Sequence, residues 1–210
     1  MAHDHLTITP SILYFGTPVA LLSTENEDAS FNLAPMSSAW ALGQVIVLGL
    51  GTDSQTAHNL AVRPDLVINL PDPAQWAAVE RLAPLTGREP VPARKQDTFR
   101  FEAAKFEAAG LRPEPSDVVR PPRVAECPIQ IEARAARVQP DATGAFQMIE
   151  AHVVRVHADP RIVVPGTQHI DPAAWSPLIY NFRHYFRLGP ELGHTFRSET
   201  VSGRVSARGA

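Results

Sequence analysis

A mainly β chain, folded as an antiparallel barrel with peripheral helices, is the class this sequence predicts, and three observations predict it. Runs that read as strands outnumber runs that read as helices. Consecutive strands are joined mostly by short connections, not by the regular helical crossovers that a parallel sheet requires. And Asn32–Trp40 puts an amide, hydroxyls and a proline between two apolar strand-like runs, so a polar segment lies within the sheet.

In chain order, Pro18–Thr24 reads as a buried strand and Gln44–Leu50 as another. Between them, Pro35 brings no N–H and cannot hold a central ladder position, which implies an edge or a bulge that frees neighbouring donors. Those donors, with Ser37 and Ser38, suit a polar ring or a phosphate; the same residues also suit a solvent-facing edge strand. Leu66–Leu70 reads as a strand and Ala74–Leu82 as a short helix ending before Pro84. A second helix is expected from Asp97, as its N-cap, through Phe101 and Phe106 to Gly110. Ile129–Ala135 alternates in the β period and Phe146–His157 does so less strictly, with the turn Pro140–Gly144 making them a long hairpin. Two short extended pieces, around Ile162–Val164 and His169, precede an aromatic ending, Pro177–Gly189. The small polar tail Ser202–Ala210 reads as a frayed end or an intersubunit strap. Six of the 20 prolines lie in Arg88–Pro92 and Arg112–Pro122, which argues for long ordered loops.

A length of 210 residues with 44% hydrophobic content supports one domain, 1–210, with a core of about 12–190 and a tail over 191–210. The net charge of −3 offers no general attraction to nucleic acid or anionic lipid, and no apolar run nears the roughly 20 residues needed to span a bilayer. The first residues carry neither a basic region nor an apolar core of a secretory signal, so a cytoplasmic protein is expected. The single cysteine, Cys127, excludes an internal disulfide and a multi-cysteine metal site; beside Pro128 it reads as a buried structural thiol. No His-Glu-x-x-His occurs, and no metal is expected; strand alternation puts His152 and His157 on opposite faces. A metal-dependent barrel enzyme would need His152, His169 and His184 to converge.

The strand ending in Gly49-Leu50-Gly51 runs into Thr52-Asp53-Ser54-Gln55-Thr56-Ala57-His58-Asn59, where glycines and hydroxyls lead into a helical turn. Unpaired N–H groups and hydroxyl donors there suit a phosphate, with Asp53 counting against one at close range; an ordinary capped helix fits the same letters. At the far end, Tyr180-Asn181-Phe182-Arg183-His184-Tyr185-Phe186-Arg187 sets aromatics beside cations, as a planar heterocycle that gathers negative charge would require, or as an aromatic anchor to the core would. Gly-x-Gly-x-x-Gly, Walker-type and Gly-x-Ser-x-Gly signatures are missing.

Taken in order, Ser23-Thr24, Asn-Leu-Ala-Pro-Met-Ser at 32–37, Gly51–Leu60, Val67–Pro71 and Tyr180–Gly189 resemble the flavin reductase-like, FMN-binding split-barrel family, over most of residues 12–190. The resemblance implies a Greek-key split barrel, a homodimer holding FMN near the subunit interface, and reduction of free flavin with NAD(P)H, or a flavoredoxin-like FMN electron carrier serving a redox partner protein. It assigns Asn32, Ala34, Pro35, Met36, Ser37 and Ser38 to the segment along the flavin, and Thr52, Ser54, Thr56 and Asn59 to the phosphate side. Lys105 matches a lysine that reaches the cofactor, and His184 and Tyr185 fall where the late segment approaches the ring. The chain departs from the pattern in three places. Ser54 and Gln55 stand where many relatives have a basic residue and Asp, Phe146 stands where many have histidine, and the hairpin Glu25–Ala29 lacks the usual Asp-Gly.

Overall fold

The computed structural model describes residues 5–196 and Ser198, and its strands follow the apolar runs of the sequence closely. A short β1 (Phe15–Pro18) leads into β2 (Ala20–Glu25), which turns through Asn26–Ser30 into β3 (Phe31–Met36). Only Ser37 and Ser38 separate β3 from β4 (Ala39–Leu42), which turns into β5 (Val45–Gly51). Helix α1 (Gln55–Leu60), β6 (Asp65–Leu70) and α2 (Trp76–Leu82) follow, α2 being entered through a 3-10 turn that Asp72 caps. Two short strands, β7 (Leu85–Thr86) and β8 (Arg100–Phe101), then precede α3 (Lys105–Ala109). The proline-rich stretch holds the small pair β9 (Pro113–Glu114) and β10 (Arg123–Val124). The expected long hairpin is β11 (Ile129–Pro140) and β12 (Phe146–Ala158), and the aromatic ending makes a second hairpin, β13 (Ile179–Asn181) and β14 (His184–Phe186).

Seven strands form one antiparallel sheet in the order β3-β2-β6-β11-β12-β5-β4. Its two edge strands, β3 and β4, are thus neighbours in sequence, joined by two residues. Two residues cannot cross a flat seven-stranded sheet, whose strands lie about 4.8 Å apart, so the sheet rolls until its edges meet. The result is a split barrel with its seam at Ser37–Ser38. Pro35 sits on the edge strand β3, where its missing N–H breaks no ladder bond.

Strand alternation sorts the apolar residues into two cores. Leu22, Leu48, Ile68 and Ile149 point into the barrel, and α1 closes it with Ala57 and Leu60. Leu21 and Leu33 point outward and are covered by α2, α3 and Leu178. Over β11 the outer face is covered by the proline-rich loop, which Glu132 ties down. Its carboxylate, with no exposed surface, accepts the N–H groups of Asp117 (3.0 Å), Val118 (2.6 Å) and Val119 (2.9 Å) and lies 2.6 Å from His157 Nε2. Burial alone would raise its pKa; these hydrogen bonds outweigh burial and hold it at about 2. Over β4, β5 and β12 the outer face is bare, leaving Trp40 58%, Leu42 76%, Phe146 45% and Met148 42% exposed.

The structure corrects three local expectations. Asp97 caps no helix: the amides of Thr98 and Phe99 turn back to Lys95 O, and the next residues run parallel to β7, with Arg100 N–H on Pro84 O and Glu102 N–H on Thr86 O. The helix starts only at Lys105, although Gly110 closes it in the left-handed conformation (φ +67°) that glycine favours there. Of the extended pieces expected around Ile162–Val164 and His169, Ile162 itself ends a 3-10 turn, while Val163 is extended and bridges Ile170. Finally, His152 and His157 share a face. Their partners Arg134 and Gln130 are four apart on β11, and a bulge in β12 absorbs the odd residue. The tail Ser202–Ala210 lies outside the described residues.

Candidate functional site

At the α1 end of the barrel the inner face becomes polar. Ser54 caps α1, its Oγ accepting the N–H of Ala57 at 3.1 Å, and the helix then turns Thr56 and Asn59 inward, both buried. Thr56 Oγ1 accepts from Asn32 Nδ2 on β3 at 3.0 Å. Asn59 Nδ2 donates to Thr24 Oγ1 (3.0 Å) and Asn26 Oδ1 (2.9 Å), while its own Oδ1 accepts from Gln55 Nε2 at 2.8 Å. From the other side, α3 brings Lys105 Nζ to 2.9 Å from Asn32 Oδ1. Four residues assigned by resemblance, Asn32, Thr56, Asn59 and Lys105, therefore meet in one buried network.

Lys105 is 3% exposed and has no carboxylate against it; Asn32 Oδ1 is the one acceptor it finds among the described residues. An ammonium carries three donors, so two remain to be matched. Burial, reinforced by the nearby charge of Lys95 and partly offset by Glu102, lowers the Lys105 pKa to about 8. The network also has a tight roof. A Cβ on Gly87 would stand 2.7 Å from Asn32 Oδ1 and 3.0 Å from Gln55 Cγ. Because Asn32 is held by both Thr56 and Lys105, Gly87→Ala is expected to cost about 1–3 kcal/mol, the range for overpacking. Urea denaturation checks it, and unchanged stability would show that Asn32 can move aside.

A second feature lay beyond sequence reasoning. Arg94 and Lys95, about forty residues downstream, fold over the turn before α1: Arg94 Nε and Nη2 each reach the Asp53 carboxylate at 2.6 Å, and Lys95 Nζ lies 2.9 Å from it. The Arg94 hydrogen bond, with Lys95 added, holds Asp53 at about 2 despite some burial. Asp53 was expected to repel a phosphate; with two cations on it, that objection falls away. Lys95 also sits 5.6 Å from the Phe99 ring centroid. No local pattern around residues 94–95 signals this contact.

The remaining assigned residues separate. Ser38 Oγ lies 2.7 Å from Tyr14 OH, and its carbonyl accepts the N–H of Gly49. Pro35, Met36 and Ser37 line a cleft of about 550 Å³ that Phe99, Tyr180 and Tyr185 also wall. Asn32 lines a second cleft of about 470 Å³, with Gln55, His58, Gly87 and Phe101. Ala34 is a half-buried ladder residue opposite Leu22. Thr52 Oγ1 donates to Gly144 O at 2.9 Å, anchoring the long hairpin and staying out of the network. His184 is exposed at the end of its hairpin and borders neither cleft. Phe146 pairs with Gly51 on the bare outer face.

Among the described residues, His152, His169 and His184 form no common cluster; the one group with metal-ligand spacing is Asp117, Glu132 and His157. There the Glu132 oxygens already accept three backbone N–H groups and face His157, so the arrangement reads as a loop clamp. Cys127 is buried, and burial raises its thiol pKa, as a structural cysteine requires. No helix among the described residues is long and apolar enough to cross a membrane.

Residues 12–189 match the flavin reductase like domain family. The chain is 47% identical over 195 residues to a Bacillus subtilis (strain 168) protein called uncharacterized protein YdfE, covering 92% of this chain and 94% of that one. Its fold is similar to flavoredoxin of Desulfovibrio vulgaris (Miyazaki F), with a TM-score of 0.76 at 20% identity, covering 93% of this chain and 99% of that one. It is similar as well to nitrilotriacetate monooxygenase component B from Bacillus cereus, with a TM-score of 0.73 at 20% identity, covering 92% and 100%.

Proposed function

Because the chain belongs to the flavin reductase-like family, we propose that it is a cytoplasmic FMN flavoprotein that takes hydride from NAD(P)H and passes electrons to free flavin or to a partner protein. The observation that carries this reading is the meeting of Asn32, Thr56 and Lys105 in one dry cluster at the foot of β3. From Asn32 to Ser37 the strand rises about 17 Å at roughly 3.3 Å per residue, a length that suits an extended flavin mononucleotide. In this reading the ring lies toward Met36–Ser38, and the phosphate toward the turn that Ser54 caps and Lys95 and Arg94 cover. The donor set fits such a group: hydroxyls, an unmatched ammonium and two cations at one end, apolar and aromatic walls at the other.

Bound FMN would supply the hydride chemistry, accepting two electrons and a proton at its ring. The protein's own residues bind, orient and exclude water. Lys105 and Lys95 place positive charge where an anion is held, Asn32 fixes Lys105 by its carbonyl and Thr56 by its amide, and the apolar side chains of β3 keep one side of the cleft dry. The proposed assembly is a homodimer, a reading that the exposed apolar residues on the bare outer face of β4, β5 and β12 support, since apolar patches of this kind mark association surfaces. Phe146 favours a second reading. An apolar ring stands at the position that the resemblance gives to a histidine, which suits an FMN electron carrier without useful NAD(P)H turnover.

An absorption spectrum of the purified protein tests the first claim, and anaerobic bleaching by NADH or NADPH separates the two readings. A protein that binds no flavin would end both. Thr56→Ala is expected to weaken FMN binding by about 1 kcal/mol, the scale of one hydrogen bond, with the fold intact; an unchanged titration would place Thr56 outside the site.

A further inference from the structure

Tyr185 is shared by two clefts. One is the 550 Å³ cleft that the proposed function gives to the flavin ring; the other, of about 400 Å³, is walled by Pro73, Trp76, Leu178, Phe186 and Arg187. The Tyr185 hydroxyl donates to Glu80 at 2.9 Å, which fixes the partition, and the Trp76 ring leans on it with centroids 6.5 Å apart and planes at 44°. Neither Trp76 nor Phe186 is spent on the core: both are exposed.

The smaller cleft is lined by apolar and aromatic side chains and one guanidinium. Among the described residues no carboxylate lines it and none pairs with Arg187. The chain at Arg187 is nevertheless pinned, since Ser176 Oγ accepts the N–H of Leu188 at 3.2 Å. On its other side Arg187 borders a cleft of about 520 Å³ whose charged groups have partners of their own. There Arg161 Nε lies 3.0 Å from both oxygens of Asp159, and Asp72 Oδ1 accepts the N–H of Ala74 at 2.7 Å. Exposed aromatic faces take a flat heterocycle, and a free guanidinium takes a phosphate. In dinucleotide sites a carboxylate that accepts the ribose 2′-hydroxyl suits NADH, whereas an arginine suits the 2′-phosphate of NADPH. This cleft carries the arginine and lacks the carboxylate.

We infer that this cleft seats the adenosine half of the electron donor, adenine against Trp76 and Phe186 and the 2′-phosphate on Arg187, so that the protein takes NADPH in preference to NADH. The inference rests on the proposed function, which brings a nicotinamide donor to the flavin ring. Tyr185, as the shared wall, lets one dinucleotide reach from the ring to Arg187. The 2′-phosphate is remote from the hydride that moves, so Arg187 sets specificity through binding and takes no part in hydride transfer. The adenosine seat itself needs no flavin.

The probe is adenosine 2′-monophosphate, titrated by calorimetry, with adenosine 5′-monophosphate as the control of like charge. Wild type should bind the 2′-phosphate saturably and prefer it about tenfold or more, the scale of one charge-assisted contact. Arg187→Gln should remove that preference, Arg187→Lys should restore part of it, and Trp76→Ala should weaken both nucleotides alike. Arg161→Gln, whose guanidinium already has Asp159, should keep the preference. With FMN bound, Arg187→Gln should raise KM for NADPH about tenfold and leave kcat and the NADH constants unchanged, the pattern of a lost uniform binding contact. Thermal melts confirm that each variant is folded, which the exposed position of Arg187 allows. The inference is overturned if the 2′-phosphate does not saturate, or if folded Arg187→Gln keeps the preference. It is also overturned if the flavin-loaded protein uses NADH as well as NADPH, an outcome that leaves the proposed function standing. A protein that prefers the 2′-phosphate through Arg187 but binds no flavin would leave the adenosine seat standing and remove the proposed flavin function.

Discussion

Lys105→Met is expected to stabilise the ligand-free protein while weakening FMN binding about 10- to 100-fold. The two effects have one cause, a buried ammonium without a counterion. Its folded pKa of about 8, against 10.5 unperturbed, means that the fold disfavours the charged form by roughly 3 kcal/mol. Methionine removes that penalty in a similar volume but strands Asn32 Oδ1, which costs about 1–2 kcal/mol, so a net gain of roughly 1–2 kcal/mol remains. The sign with pH follows. Between about pH 8 and 10.5 the unfolded chain binds this proton and the folded one does not, so wild-type stability rises through that window. The variant should lack this rise, as denaturant titrations at pH 8 and pH 10 would show. With an anion bound, the same ammonium becomes a charge-assisted partner worth about 1.5–3 kcal/mol, whence the loss of FMN affinity. An unchanged FMN affinity in the variant would remove Lys105 from the cofactor site.

Glu132→Ala is expected to have the largest effect on stability, a loss of about 3–5 kcal/mol at pH 7, because it leaves three backbone donors of the proline-rich loop without their acceptor. The wild-type protein should itself weaken in acid. A carboxyl held at about 2 instead of 4.5 contributes roughly 3 kcal/mol above pH 4.5, and that contribution is lost as the pH falls toward 2. Stability measured at pH 7 and pH 3 in wild type and in Glu132→Gln should converge at the lower pH. If the two lines stay parallel, Glu132 is not the group responsible.

The parts of the fold that were legible from sequence are those where local chemistry and packing agree. Leu21 and Leu22 alternate into two cores, Pro35 marks an edge, and Gly110 ends a helix in the left-handed turn. Thr56 was legible as a hydroxyl donor in the turn after β5, and Asn32, Asn59 and Lys105 through the resemblance; the hydrogen bonds that link them required the fold. The misreadings share a physical reason, which is long-range pairing overriding a local pattern. Asp97 has an N-cap's chemistry, but the residues after it pair with β7. His152 and His157 obey alternation only until a bulge shifts the count. Arg94 and Lys95 close over Asp53 from a loop whose own sequence does not announce a partner.

The seam at Ser37–Ser38 gives the barrel the mechanics of a spring clip more than those of a hoop. No ladder bond joins β3 to β4, so prising the edges apart breaks no sheet hydrogen bond between them, and the resistance falls on a two-residue hinge and on whatever lies across it. A molecule seated along this hinge would act as a cross-brace, so that occupancy and stiffness become a single variable. The same geometry puts the most deformable line of the wall where the ring is proposed to lie, and an exchangeable cofactor could enter or leave by a small flexing of the clip while the rest of the ladder stays intact.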